Sequence, residues 1–120
     1  MNPTARSSSR QKLTRAAEFE HVFAGGRRSA DRLFTVLYRP SGLVCARLGI
    51  TISARRVRTA VARNRIRRLI RESFRHAGRG LEGFDIVVIV SGAAREAGNP
   101  AIFESLTQHW ARLRHAGQRT

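Results

Sequence analysis

Between Val61 and Phe74 the chain reads VARNRIRRLIRESF, a helix-compatible run that sorts its side chains by chemistry. At 100° per residue, Arg63, Asn64, Arg67, Arg68, Arg71 and Arg75 fall within one arc, while Ala62, Ile66, Leu69, Ile70 and Ser73 fall opposite. Arg63 and Arg67, Arg67 and Arg71, and Arg71 and Arg75 are like-charge pairs at i,i+4, each unfavourable by roughly 0.2–0.5 kcal/mol in an isolated helix. Glu72 alone offers local relief. A sequence that accepts this repulsion suits a polyanion, because guanidinium forks take phosphate oxygens bidentately and binding releases condensed counterions. The competing reading is a merely solvated face, but such faces usually mix Glu with Lys or Arg.

Cleavage of a phosphodiester by the chain's own groups would need paired carboxylates for metal ions, or a histidine pair for acid and base work. Neither is visible. Glu18, Glu20, Asp31, Glu72, Glu82, Asp85, Glu96 and Glu104 are scattered singly, except for Glu18 and Glu20, which face different sides of a helix. Asp85, opening an apolar strand, is the least implausible ligand. His21, His76, His109 and His115 show no metal-ligand spacing, and the lone Cys45 excludes an internal disulfide or a multi-cysteine zinc site. No catalytic side chain and no metal site are expected, so any reaction must be carried out by another molecule.

The elements that would position the arginine run fit one domain. At 120 residues with 42% hydrophobic content there is room for a single modest core. A formal charge of +15 points to nucleic acid or an anionic surface, nucleic acid being favoured. Almost all of that charge is arginine, since Lys12 is the one lysine. No apolar run approaches the roughly 20 residues that span a bilayer, and the N-terminus lacks the apolar block of a secretory signal, so a cytoplasmic location is expected.

Residues 1–12 read as a flexible basic arm, 13–116 as a single RNA-binding domain and 117–120 as a tail. Thr14 is expected to cap a short helix carrying Phe19, Val22 and Phe23, with Gly25 and Gly26 ending it. Phe19 and Phe23, one turn apart, suit either a core stripe or a platform for unpaired bases, and spacing alone favours the core. Alternation predicts strands over Leu33–Arg39 and over residues 46–53, pairing as a hairpin around Pro40-Ser41-Gly42. FDIVVIV, Phe84–Val90, predicts a central strand covered on both faces. Asn99-Pro100 predicts an N-cap and N1 proline opening a helix with Ile102, Phe103, Leu106, Trp110 and Leu113 on one stripe. The fold class is α+β, a two-layer sandwich of a mixed sheet with helices packed on it.

The run ARNRIRRLIRESFR, Ala62 to Arg75, closely resembles the RNR signature of the protein subunit of bacterial ribonuclease P. The flanks share the resemblance: Phe19-Glu20-His21-Val22-Phe23 is similar to that family's N-terminal helix, Leu48-Gly49-Ile50-Thr51-Ile52-Ser53 to the strand before the signature, and FDIVVIV to the strand after it. It extends from about Leu13 to Leu113. The resemblance implies a domain with a left-handed βαβ crossover, related to a ribosomal protein domain. It further implies a catalytic RNA partner that uses Mg2+ to remove the 5′ leader of precursor tRNA, while the protein contacts the leader and strengthens substrate binding. By the same resemblance Arg63, Asn64, Arg65, Arg67, Arg68 and Arg71 bind RNA, joined by Arg75 on the same face and by Arg55, Arg56 and Arg58 in the preceding basic loop. Arg65 leaves the cationic arc and could instead brace the fold by bonding to carbonyls. Phe19 and Phe23 match the aromatic pair of the leader cleft, with Leu37 at a strand position that often holds a further aromatic and Tyr38 facing the other way. Ala54 stands where the family commonly has a lysine. The alternative is a non-enzymatic RNA-binding protein, such as a ribosomal protein.

Overall fold

The computed structural model describes residues 12–77 and 80–118. Of the expected basic arm, only Lys12 falls among them, and Arg119 and Thr120 of the tail lie outside them. In chain order the elements are α1 (Ala16–Gly25), β1 (Arg27–Ala30), β2 (Phe34–Pro40), β3 (Arg47–Thr51), α2 (Ala60–Ala77), β4 (Phe84–Val90), a 3-10 turn (Gly92–Glu96) and α3 (Asn99–Gln118).

The sheet order is β1-β2-β4-β3. β4 is antiparallel to β2, with Leu37 opposite Val87, and parallel to β3, with Gly49 opposite Val87. Val, Ile and Phe dominate β4 because it is covered on both faces and paired on both edges. Its place in the middle corrects the expected hairpin: β2 and β3 run antiparallel, as hairpin partners would, but β4 separates them. The hairpin that does form joins β2 to β1, which has only Ser29 buried and so carries no apolar alternation.

Alternation along the strands sends side chains to two unequal layers. Phe34, Val36, Tyr38, Leu48, Ile86 and Val88 meet Ile66, Leu69 and Ile70 of α2 and Ile102, Leu106, Trp110 and Leu113 of α3 in one cluster. Tyr38 points into this core, its ring edge-on to Phe84 at 5.6 Å. On the other face the buried apolar cluster of the described residues is just Leu13, Val22 and Val87, with Phe19, Leu37 and Ile89 packed around them. A fully buried Val, Leu, Ile or Phe contributes about 1.5–3 kcal/mol, so eighteen buried residues against three leave the core to α2 and α3. α1 needs polar anchorage as well.

Helix ends differ from the expected caps. α1 starts after Arg15, and Glu18 Oε1 accepts the N–H groups of Thr14 (3.0 Å) and Arg15 (3.1 Å); these amides hold its carboxyl below the ordinary value, with Arg47 adding to the effect. Thr14 therefore precedes the cap. α3 begins at Asn99, with Ile102 N–H bonded to Gly98 O, so the Asn99 side chain is released for another partner. The β1–β2 turn is closed by Asp31, whose Oδ1 accepts the amides of Leu33 and Phe34, both at 2.9 Å, while Oδ2 accepts Ser105 Oγ–H at 2.5 Å. Burial pushes this carboxyl up, but Ser105 and the two amides outweigh it and hold it below its usual value. The fully buried His109 shares a 2.7 Å hydrogen bond with Ser29 through Nδ1. Its Nε2 lies 3.1 Å from Asp31 Oδ2 but off the hydrogen-bonding direction. Burial lowers the affinity of His109 for a proton despite that carboxylate.

Candidate nucleic-acid interface

The loop from Ser53 to Thr59 launches α2. Ser53 O accepts the amides of Arg56 and Val57, Ser53 Oγ accepts that of Arg55, and fully buried Val57 pins the loop to the core. Arg55, Arg56 and Arg58, on either side of that anchor, are exposed. Thr59 Oγ1 accepts Ala62 N–H at 3.1 Å, a side-chain cap for the first turn. Ile66, Leu69, Ile70 and Ser73 are buried as the periodicity requires, and Ser73 Oγ accepts the indole N–H of Trp110 at 2.8 Å, satisfying both groups in the core.

The arginines of α2 then divide. Arg65 braces the fold: its guanidinium donates to Ala97 O at 2.8 Å and to Asn99 Oδ1 at 2.7 and 3.1 Å. Arg63, placed by projection in the cationic arc, also turns inward, donating to Val57 O (2.8 Å) and Arg58 O (3.1 Å). Asn64, Arg67, Arg68, Arg71 and Arg75 remain together around a shallow depression of about 410 Å3. Only Arg68 has an acidic neighbour, Glu72, at a loose 3.9 Å with both side chains exposed, an arrangement of little energetic consequence. No ion pair to a described residue holds Arg67, Arg71 or Arg75.

The second candidate region is the sheet face under α1. Phe19 is half-buried against Gly49 of β3, where a Cβ would come within 2.6 Å of the phenyl ring, so this close approach requires glycine. Leu37 joins the same small cluster as Phe19, whereas Phe23 is 47% exposed. Beyond the Leu37–Val87–Gly49 row, the Thr35–Ile89–Thr51 row floors a groove of about 380 Å3 walled by Ser53, Arg56 and Ser91. The sequence reading missed Thr35, Thr51 and Ile89; the polar residues alternating with core positions in β2 and β3 were the available signal.

Arg47 fixes α1 over this face. It donates bidentately to Asp85, Nε to Oδ1 and Nη2 to Oδ2, both at 2.7 Å, and its Nη1 reaches Glu18 Oε2 at 2.9 Å. Asp85, first and foremost, raises the pKa of the Arg47 guanidinium above its ordinary value. Arg39 adds a second tie, Nη1 to His21 O at 2.8 Å. Asp85 is thus a structural anion with both oxygens engaged. Among the described residues no three His, Cys, Asp or Glu side chains come together in a way that could hold a metal ion. No described helix is long and apolar enough to cross a membrane.

A mixed sheet with a cationic crossover helix on one layer, an aromatic helix on the other and no cluster of acid–base groups defines an RNA-binding α+β protein. The family model described as Ribonuclease P matches residues 8–114. The ribonuclease P protein component of Coxiella burnetii is 34% identical over 109 residues, covering 91% of this chain and 90% of that protein. The ribonuclease P protein of Staphylococcus aureus superposes with a TM-score of 0.78 at 30% identity, over 86% of this chain and 94% of the other. That of Thermotoga maritima gives 0.77 at 30% identity, over 86% and 97%. The chain belongs to the ribonuclease P protein component family. It is the protein part of an RNA–protein endoribonuclease that matures tRNA 5′ ends, with catalysis by the RNA subunit.

Proposed function

We propose that the two regions divide the two RNAs between them. The outward face of α2, with Asn64, Arg67, Arg68, Arg71 and Arg75, engages phosphates of the catalytic RNA subunit, and Arg55, Arg56 and Arg58 extend that surface toward the groove. Arg63 and Arg65 serve the same interface by holding the helix and its leading loop in place. The 5′ leader of precursor tRNA enters the cleft beside α1, where Phe23 and the exposed part of Phe19 stack on unpaired bases and Leu37 supplies apolar contact rather than stacking. Residues 13–116 act as the RNA-binding domain, with 1–12 and 117–120 as a basic arm and tail, in the cytoplasm.

The observation that carries this reading is that Arg67, Arg71 and Arg75 of α2 have no carboxylate partner among the described residues, whereas Arg47 under α1 is bound by two carboxylates. Magnesium enters as the RNA subunit's ion. Asp85, the one buried carboxylate among the described residues, is saturated by Arg47, so the described donor set does not suit a magnesium ion held by protein groups alone.

The test is reconstitution of the purified protein with the catalytic RNA subunit and precursor tRNA. The pair should cleave at lower magnesium than the RNA alone, and the protein alone should leave the substrate intact. Cleavage by protein alone, or no effect on the RNA, defeats the reading.

A further inference from the structure

A groove of about 660 Å3 runs along the outer edge of β3, where Lys12 pairs with Leu48 and Leu13 N–H donates to Leu48 O, within the roughly 300–1,000 Å3 of small-molecule sites. Its chemistry is mixed: Phe19, Ile50 and Phe74 give an apolar lining, and four cations, Lys12, Arg67, Arg71 and Arg75, outnumber one carboxylate, Glu82. No residue lines both this groove and the one floored by Thr35, Ile89 and Thr51. Arg67, Arg71 and Arg75 instead also line the depression on the outer face of α2, so the groove continues the helix's phosphate-facing surface.

A paired A-form helix presents phosphates at its surface but keeps its base planes stacked inside. It could satisfy the arginines and would leave the apolar lining empty. An unpaired nucleotide satisfies both, its phosphate on the guanidinium groups and its base against Phe74 and Ile50. We infer that the β3-edge groove receives an unpaired nucleotide of the catalytic RNA subunit, in a contact that adjoins the leader cleft at Phe19 but is centred on Phe74 and the α2 arginines. This deepens the proposed role of α2 and rests on it.

Cys45, the chain's single cysteine, lines the groove half-buried and serves as the probe. Its alkylation rate is measured in the protein alone, with the RNA subunit, and with a single-stranded leader oligonucleotide. The RNA subunit should slow alkylation and the oligonucleotide should not. Protein already carrying a bulky maleimide on Cys45 should bind the RNA subunit about tenfold more weakly, the order expected for loss of one stacked base, with maleimide-treated Cys45→Ser as the control. Unchanged affinity after alkylation overturns the inference, as does protection by the leader oligonucleotide. Should the adduct lose its helical circular dichroism, Val44→Glu provides the same affinity test, because Val44 is 92% exposed at the groove and packs on nothing that folding needs. Failure of the unmodified protein to bind the RNA subunit would instead strike the assignment of α2 itself, and would appear before any modification.

Discussion

The arginines on the sheet face under α1 and those on the outer face of α2 are the same side chain in opposite circumstances. Arg47 has three hydrogen bonds to two carboxylates, and Arg39 bonds a helix carbonyl. Arg67, Arg71 and Arg75 have no such partner among the described residues. One set is already engaged within the fold, Arg47 by carboxylates and Arg39 by a carbonyl; the other keeps its donors available and gains only when a phosphate arrives. Composition counts both sets equally, which is why +15 predicts a polyanionic partner but not which guanidinium groups touch it.

The contrast breaks most visibly at Arg47. Arg47→Ala leaves Asp85, whose side chain is 3% exposed, buried without its counterion, and stability should fall by about 3 kcal/mol in chemical denaturation. An unchanged midpoint would mean that Asp85 is readily hydrated and α1 only lightly held. Phe23→Ala should weaken binding of leader-bearing substrates by about 1–3 kcal/mol, leave mature tRNA unaffected, and barely change folding. Phe19→Ala is the less clean variant, because its ring also packs on Gly49. Equal losses for both substrates would assign these rings to packing. Arg67→Ala and Arg71→Ala should each reduce the slope of log affinity against log salt by about 1, with stability changed by less than about 0.5 kcal/mol. An unaltered slope removes those residues from the interface.

The smallest effect concerns protons. His109 has its folded pKa depressed, so the unfolded chain binds the proton first and stability declines as pH falls below about 6.5. Glu18 and Asp31 are also depressed, and their contributions, present above the ordinary carboxylate range, disappear as pH falls through their folded values. Denaturation midpoints of the protein and of His109→Gln, measured from neutral to mildly acidic pH, should converge as the solution is acidified. Parallel curves would show that His109 does not titrate on unfolding.

Periodicity made α2, β4 and α3 legible, because each carries enough buried apolar residues to impose a 3.6 or a continuous pattern. The RNR run likewise placed the outward arginines of the candidate site. β1 was not legible: Arg27–Ala30 lies at an edge with one buried residue, a serine bonded to His109. Nearness in sequence favours a β2–β3 hairpin and hides the pairing of β2 with β4, whereas an apolar strand needs neighbours on both edges. Angular position alone puts Arg63 on the cationic face because it ignores height along the axis; one turn from the helix start, Arg63 reaches carbonyls of the preceding loop that Arg67 cannot. Asn99 misled for a related reason, since its carboxamide has a guanidinium within reach and the helix starts a residue early.

The late strand at the centre of the sheet also governs how the molecule is made. β2 and β3 each lack a neighbour on their inner edge until residues 84–90 have been synthesised, so a nascent chain ending before them cannot close the sheet. The most basic helix emerges first, unattached to any completed scaffold, and folding waits on a non-local pairing of the kind that slows small domains. C-terminal truncations reaching into this strand should therefore give no smaller working domain, and the ribosome must release most of the polypeptide before a competent subunit exists.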